Sequence, residues 1–80
     1  KWVSSILELL TVGGIMRFSE IMRSLSITDK ILSEKLSSLL EHGLVTREVK
    51  EDRSTIYSLT EKGRKLAAKL AELDEILRGG

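Results

Sequence analysis

The feature that most constrains the fold of this chain is a hairpin pattern set between two amphipathic helical patterns. Two short runs with β character, Val45–Val49 and Thr55–Leu59, flank a polar tip at residues 50–54. Because a two-stranded hairpin is barely stable alone in water, these strands must pack against helices. The sequence therefore predicts a mainly α chain with a small β-hairpin whose charged tip projects into solvent.

Alternation along the two strands predicts which side chains of the hairpin point inward. Tyr57 and Leu59 share one face of the second strand, and we expect both to pack on the helices. On the first strand Val45 and Val49 are expected to do the same, although Arg47 lies between them. The alternation of the first strand is therefore imperfect, while the tip is expected to project into solvent.

Four helical patterns surround the hairpin. They cover Trp2 to Thr11, Ser19 to about Leu25, Thr28 to His42, and about 60–77. Polar side chains that can cap a helix stand at the start of the last three, at Ser19, Thr28 and Thr60. The piece 15–17 is expected to be a short extended segment. Gly43 is expected to end the third helix in the left-handed conformation, with Leu44 packing back on Leu39.

The second and third helices have the spacing of a helix-turn-helix: a short helix, a three-residue turn and a longer amphipathic helix. Any αα-hairpin shares this spacing, so the helices alone leave both interpretations open. Adding the short extended segment before them and the hairpin after them gives the element order of a winged helix, with the wing at about 44–59. We therefore expect one winged-helix DNA-binding domain over residues 1–80.

Polar side chains fall into two groups with different expected contacts to DNA. Those on the exposed side of the third helix are candidates for base edges in the major groove. They are Lys30, Ser33, Glu34 and Ser37. Cations and hydroxyls near helix starts and on the wing tip are candidates for phosphate contacts. They are Arg17, Ser19, Thr28, Lys50, Arg53 and Ser54. Each side chain taken singly is also compatible with an ordinary solvated position.

The last helix is longer than a thin three-helix core needs. At about 1.5 Å per residue it spans roughly 25 Å, and its leucines follow one seam. Pairing with a second copy would cover that seam, with the first helix contributing. The predicted dimer interface is Val3, Ile6, Leu10, Leu66, Leu70, Leu73 and Leu77. The alternative is that the last helix folds back over its own domain.

Composition narrows the function classes. The 80 residues include no cysteine, which excludes disulfides, thiolate metal sites and a cysteine nucleophile. The single histidine, His42, has no evident catalytic or metal-binding partners, so we expect no enzyme, metal or cofactor.

No apolar run approaches the roughly 18 residues of a membrane span, and we expect a soluble, cytoplasmic protein. The net charge is +1, but residues 17–69 carry eleven cations and eight acids, a bias that permits nucleic-acid binding.

The same residues, taken together, resemble the HxlR-type winged-helix transcriptional regulators, with the MarR and PadR groups as more distant relatives. The matching pieces are Lys1-Trp2 with Ile6-Leu7 and Leu10; Arg17-Phe18-Ser19-Glu20-Ile21; Ile27-Thr28 with Lys30, Leu32-Ser33 and Leu36; Gly43-Leu44-Val45 with Arg47; and Tyr57-Ser58-Leu59-Thr60-Glu61-Lys62-Gly63 with Leu66. The resemblance implies a homodimeric regulator of double-stranded DNA, with the third helix in the major groove and the wing on the backbone.

Two departures from the family pattern affect what the resemblance implies. A cysteine that senses electrophiles often stands near the start of family members, and its absence here means that thiol sensing is not carried over. The third helix has Glu34 and Ser37 where relatives tend to have glutamine and a cation. The near-neutral net charge, Glu34 and the acidic pair Glu51-Asp52 motivate one alternative function: a winged-helix protein–protein interaction module within a larger complex that does not bind DNA directly. The sequence nominates no site for a small-molecule effector.

Overall fold

The computed structural model describes residues 2–77, which form helices and a small antiparallel sheet. The elements are α1 (Trp2–Gly13), β1 (Met16–Arg17), α2 (Phe18–Leu25), α3 (Asp29–Glu41), β2 (Val45–Val49), β3 (Thr55–Leu59) and α4 (Glu61–Leu77). The predicted fold class and the predicted strand limits are confirmed. The predicted extended piece at 15–17 is β1, and the first helix continues two residues beyond its predicted end.

A single apolar core lies between the first three helices and the inner face of the sheet. Its members are Ile6, Leu7, Leu10, Ile21, Ile27, Leu32, Leu36, Leu39, Leu44, Val45, Tyr57 and Leu59. The stripes that recur every three or four residues along α1 and α3 supply half of them, because this spacing places side chains on one side of a helix. Phe18 packs beside Tyr57, with ring centroids 6.4 Å apart.

The sheet has three strands in the order β1-β3-β2, so the hairpin is joined by the short strand that precedes α2. Met16 is paired with Tyr57 and Arg17 with Ile56, while β2 and β3 pair from Val45–Leu59 to Val49–Thr55. This pairing fixes β1 to the centre of the wing. Arg17 is thereby held near the wing tip, although the two are more than thirty residues apart in sequence.

The hairpin is buried only at its base, which corrects the prediction for Val49. Val45, Tyr57 and Leu59 are buried as expected, but the side chain of Val49 is 62% exposed. The distal half of the hairpin extends beyond the helices, so inward alternation no longer meets a core there. The wing therefore packs on the core at its base, while its distal half projects into solvent.

The start of α2 also differs from the prediction. Arg17, not Ser19, is the N-cap, with an extended backbone (φ −78°, ψ 153°). Its N–H donates to Oε1 of Glu20 at 2.8 Å. Because β1 passes directly into the helix, the first turn begins two residues earlier than a cap at Ser19 would place it. Ser19 lies inside that turn and is exposed.

The predicted end of α3 and the predicted start of α4 are confirmed, and they meet at one junction. Leu44 N–H donates to Leu39 O (2.9 Å) and Gly43 N–H to Leu40 O (3.0 Å), the pair of bonds of a Schellman stop, with Gly43 at φ +71°. Thr60 Oγ accepts from Gly63 N–H at 3.0 Å as the cap of α4 and donates to Gly43 O at 2.7 Å.

Two residues predicted for a dimer interface belong instead to the core. Ile6 and Leu10 are fully buried against the chain's own helices, because α1 lies across α2, α3 and the sheet. A second copy cannot reach them. Of the remaining predicted interface residues, Val3, Leu66 and Leu70 are half-buried at the α1–α4 contact, and Leu73 and Leu77 are exposed.

Candidate nucleic-acid interface

The outward face of α3 presents polar side chains to solvent along the length of the helix. Lys30, Ser33, Glu34 and Ser37 are all exposed, while Leu32, Leu36 and Leu39 on the opposite side are buried. Ser33 Oγ donates to Oδ1 of Asp29 at 3.4 Å. The buried stripe thus fixes which side of α3 is offered to a partner, and the four predicted side chains share that exposed side.

Thr28 anchors the N-terminal end of this face. Its Oγ accepts from the backbone N–H of Ile31 at 3.4 Å, which confirms it as the N-cap. A hydroxyl that accepts one hydrogen bond still has its own hydrogen to donate. Thr28 can therefore cap the helix and donate to an anion at the same time.

The wing tip and the start of α2 form the walls of one open cleft. Its volume is about 280 Å³, and its lining residues are Arg17, Phe18, Ser19, Arg53, Ser54 and Thr55. Four of the six predicted phosphate contacts therefore lie around a single space, although they come from two distant parts of the sequence. Strand β1 explains this juxtaposition, since it pairs with β3 immediately below the tip.

A second open cleft lies on another side of the tip, and Arg17 lines both. This cleft has a volume of about 430 Å³ and is lined by Arg17, Lys50, Glu51, Asp52 and Ser54. Lys50, the fifth predicted phosphate contact, is thus also brought near Arg17. Thr28, at the start of α3, lies outside the two clefts.

Hydrogen bonds within residues 50–54 give the tip a defined shape. Lys50 N–H donates to Ser54 O at 2.8 Å, and Arg53 N–H donates to Lys50 O at 2.9 Å. Oδ1 of Asp52 accepts from Ser54 twice, from Oγ at 2.6 Å and from the backbone N–H at 3.1 Å. Arg53 has a left-handed backbone, with φ +69°. The tip is therefore an ordered turn.

The carboxyl of Asp52 is held in its charged form. The hydrogen bonds from the hydroxyl and then the N–H of Ser54 lower its pKa below the usual value, and the positive charge of Arg17 lowers that pKa further. The carboxylate is nevertheless fully open to solvent. The negative charge of Asp52 is thus stabilised by hydrogen-bond donors of the same chain.

Sequence reasoning missed the contribution of Asp52 and the closeness of Arg17 to the tip. The first had a signal in the sequence: an Asp two residues before a Ser is a common turn arrangement in which the carboxylate bonds the following backbone. The second had none, because a two-residue strand leaves no periodic pattern. The pairing partner of β1 is decided by tertiary packing.

Cations on α4 form a separate group on the solvent side of that helix. Lys62, Arg64, Lys65 and Lys69 are exposed, as expected of a solvated face. Lys62 Nζ donates to the backbone oxygen of His42 at 3.1 Å, so this cation serves the α3–α4 junction. His42 itself has Nδ1 at 2.8 Å from Ser38 O, at the negative end of α3.

The described part of the chain lacks two other kinds of feature. Residues 2–77 contain no group of three or more His, Asp or Glu side chains placed to hold a metal ion. None of the helices in that range has the length and apolar character needed to cross a membrane. The ring of Tyr57 is buried and belongs to the core, while Phe18 is half-buried beside it.

Comparison with known proteins gives one consistent family. The model of the HxlR-like helix-turn-helix family matches residues 1–78. The chain is 38% identical over 78 residues to YvaP, an uncharacterized HTH-type transcriptional regulator of Bacillus subtilis (strain 168), covering 94% of this chain and 71% of that protein. It is 40% identical over 78 residues to an uncharacterized HTH-type transcriptional regulator of Methanothermobacter thermautotrophicus, covering 94% of this chain and 59% of that protein.

Solved structures agree with these relatives. The reduced form of the transcriptional regulator YodB from B. subtilis has a TM-score of 0.84 and 35% identity, over 94% of this chain and 76% of that one. Mutant MarR from E. coli complexed with operator DNA has a TM-score of 0.81 and 20% identity, over 89% of this chain and 52% of that one. The second similarity concerns the fold alone.

Proposed function

The chain belongs to the HxlR-like helix-turn-helix family of transcriptional regulators, which are not enzymes, and from this premise we propose how it binds DNA. It binds double-stranded DNA in a sequence-specific manner as a homodimer. The exposed face of α3 lies in the major groove, and the wing tip at 50–54 lies on the sugar–phosphate backbone. The family membership and the fold support this arrangement, as does the presence of operator DNA in the complex of the similarly folded MarR.

The observation that carries the proposal is the cleft between the wing tip and α2. A phosphate needs several donors at one place, and the residues lining this cleft include two with guanidinium groups, Arg17 and Arg53, and one serine, Ser19, whose hydroxyl hydrogen is available. Ser54 also lines the cleft, but its hydroxyl hydrogen is donated to Asp52. Donors at such a place fix the register of a protein on a duplex without reading its sequence. Sequence reading then falls to the exposed face of α3.

Base contacts are assigned to the four exposed side chains of α3. Lys30 suits the acceptor edge of guanine, and Glu34 suits the amino group of cytosine. Ser33 and Ser37 can donate or accept. The carboxylate of Glu34 repels phosphates, and a hydrogen bond from a matching base offsets that repulsion. DNA binding therefore depends more strongly on the base opposite Glu34 than it would with a neutral residue at this position.

The homodimer is proposed on the outer part of α4. Leu73 and Leu77 continue its leucine seam and are exposed, and both line an open cleft with Ser4, Ser5 and Glu8 of α1. Val3, Leu66 and Leu70 are half-buried and complete the proposed contact. Two copies related by a two-fold axis would present two α3 helices one helical turn of DNA apart, about 34 Å. The operator is then an inverted repeat.

The proposal is tested by selection from a duplex library with a randomised core, at low and at moderate salt. We expect enrichment of a short inverted repeat whose retention weakens steeply as salt rises, because phosphate contacts release counterions. If no duplex is retained in a salt-sensitive manner, DNA binding is wrong, and a protein partner covering α3 becomes the function to test.

A charge-reversal pair tests the assignment of α3. Lys30→Glu is expected to weaken binding to the selected duplex at least about tenfold. Lys69→Glu makes the same change of net charge on the exposed side of α4 and serves as the control, with binding expected to change much less. Equal losses in the two variants, measured by fluorescence anisotropy, would remove α3 from the interface.

A further inference from the structure

We infer that Asp52 is a positioning residue for DNA binding: it holds the wing-tip turn in the shape that keeps Arg53 in the phosphate cleft. This inference rests on the proposed function. An acidic side chain on a surface that faces phosphates is unfavourable if its charge is all that matters. The geometry assigns Asp52 a structural task that outweighs this repulsion.

Asp52 accepts two hydrogen bonds, and both come from Ser54. One oxygen, Oδ1, receives both the hydroxyl (2.6 Å) and the backbone N–H (3.1 Å) of Ser54. These bonds span Arg53, the residue between the two. The bonds therefore restrain the backbone of Arg53 from both sides, in addition to the Arg53–Lys50 backbone bond of 2.9 Å.

This restraint maintains an unfavourable backbone conformation at Arg53. Its φ of +69° lies in the left-handed region, where a side chain crowds the backbone. Glycine would adopt this turn without that cost. The position is nevertheless an arginine, and Arg53 lines the cleft with Arg17 and Ser19.

The negative charge of the Asp52 carboxylate is stabilised by its neighbours. Arg17 lines the cleft that also contains Asp52, and its positive charge stabilises the carboxylate. Two donors from Ser54 and one neighbouring guanidinium therefore face a single acidic group. Glu51, the adjacent acid, is exposed and accepts no hydrogen bond among those found within residues 2–77. The two acids of the tip consequently differ in role.

The experiment compares Asp52→Ala, Asp52→Asn and Glu51→Ala on the duplex chosen by the selection above, by anisotropy at fixed salt. All three variants remove one negative charge, but only Asp52→Ala removes the acceptor for Ser54. We expect Asp52→Ala to weaken binding about fivefold, the size of one lost ordering hydrogen bond. Asp52→Asn and Glu51→Ala are expected to bind as tightly as the parent chain or more tightly, since less charge then repels the phosphates.

A fourth variant separates the turn from the guanidinium group. Arg53→Gly relieves the left-handed strain, so its melting temperature is expected to equal or exceed that of the parent, while binding weakens about tenfold and the salt slope falls by about 1. Amide hydrogen exchange at Ser54, measured without DNA, gives an independent reading of the turn. It is expected to accelerate in Asp52→Ala and to remain slow in Asp52→Asn.

The outcomes distinguish this inference from the proposed function. If the parent chain binds no duplex, the proposed function fails first. If the parent binds and Asp52→Ala binds as well as Glu51→Ala, or better, the positioning role is overturned. Loss of binding in Asp52→Asn equal to that in Asp52→Ala would overturn it as well, because the charge and not the acceptor would then be responsible.

Discussion

The two halves of α4 have the same sequence pattern and opposite surroundings. In the inner half Gly63 is buried against Leu44, and Leu66 and Leu70 pack on the core. In the outer half Leu73 is 55% exposed and Leu77 is 83% exposed. Periodicity alone treats all these leucines as one seam. The difference teaches that an apolar stripe shows which side of a helix is buried, and not which partner buries it.

The inner half is also where α4 is joined to α3. Thr60 bonds both to Gly43 and to the first turn of α4, and Lys62 reaches the backbone of His42. The helix proposed to dimerise and the helix proposed to contact DNA therefore share one rigid junction. Leu73 and Leu77 of the outer half are exposed, so changes in the two halves are expected to have very different effects.

The largest effect is expected from Gly63→Ala. A Cβ at this position would clash with the backbone oxygen of Leu44, and backbone cannot move aside as a flexible side chain can. We expect the free energy of unfolding to fall by about 3 kcal/mol or more. Alanine is otherwise favoured over glycine in a helix by about 1 kcal/mol, so any loss must come from this contact. Urea denaturation measures it, and an unchanged midpoint would show that the contact relaxes at no cost.

A smaller loss is expected from Thr60→Val, which has nearly the same shape but lacks the hydroxyl. The variant removes the cap bond from Gly63 N–H and the bond to Gly43 O. Loss of a threonine cap costs about 1–2 kcal/mol. Thr60→Ser keeps the hydroxyl and is the matched control, expected to unfold close to the parent chain. If Thr60→Val unfolds at the same midpoint as the parent chain, the two hydrogen bonds of the hydroxyl contribute nothing to stability.

The smallest effect on the folding of the chain is expected from Leu73→Lys in the outer half. An exposed substitution of this kind changes the free energy of unfolding by no more than about 0.5 kcal/mol. Its effect on association is expected to be large, because a lysine would be placed in the proposed dimer contact. Sedimentation equilibrium measures the change in association. Unfolding is followed separately at the lowest practical protein concentration, where association contributes least to the measured free energy of unfolding.

Lys69→Leu, a control on the same helix, is not expected to disrupt association. If Leu73→Lys leaves the mass in solution unchanged, the outer half of α4 is not the dimer contact. If it destabilises the chain as much as Gly63→Ala, the outer half packs on its own domain, which is the alternative the sequence left open.

Local pattern was enough to predict much of the fold. The strand limits of the wing, the caps at Thr28 and Thr60 and the stop at Gly43 depend on neighbours a few residues away, and all were predicted. The misplaced cap at Ser19 shows the limit of such reasoning. There a strand that pairs with residues far along the chain set the start of the helix.

Placement of the candidate site was less predictable. The side chains of α3 were expected on one exposed face, since the buried leucine stripe fixes the opposite side. Val49 was expected inside and lies outside, because alternation carries no information on how far the helices extend beneath a strand. Ile6 and Leu10 were expected at an interface and lie in the core, because α1 is surrounded by more elements than its stripe indicated.

By itself the sequence determined the order of the elements, most of their ends and the family of regulators to which the chain belongs, because caps, turn residues and apolar spacing act over a few residues. The tertiary structure alone decided that Arg17 meets the wing tip, that Ile6 and Leu10 lie in the core, and that one leucine seam divides into a packed half and an exposed half. Each of these depends on which distant segments the common core brings together, and that information is distributed over the whole chain.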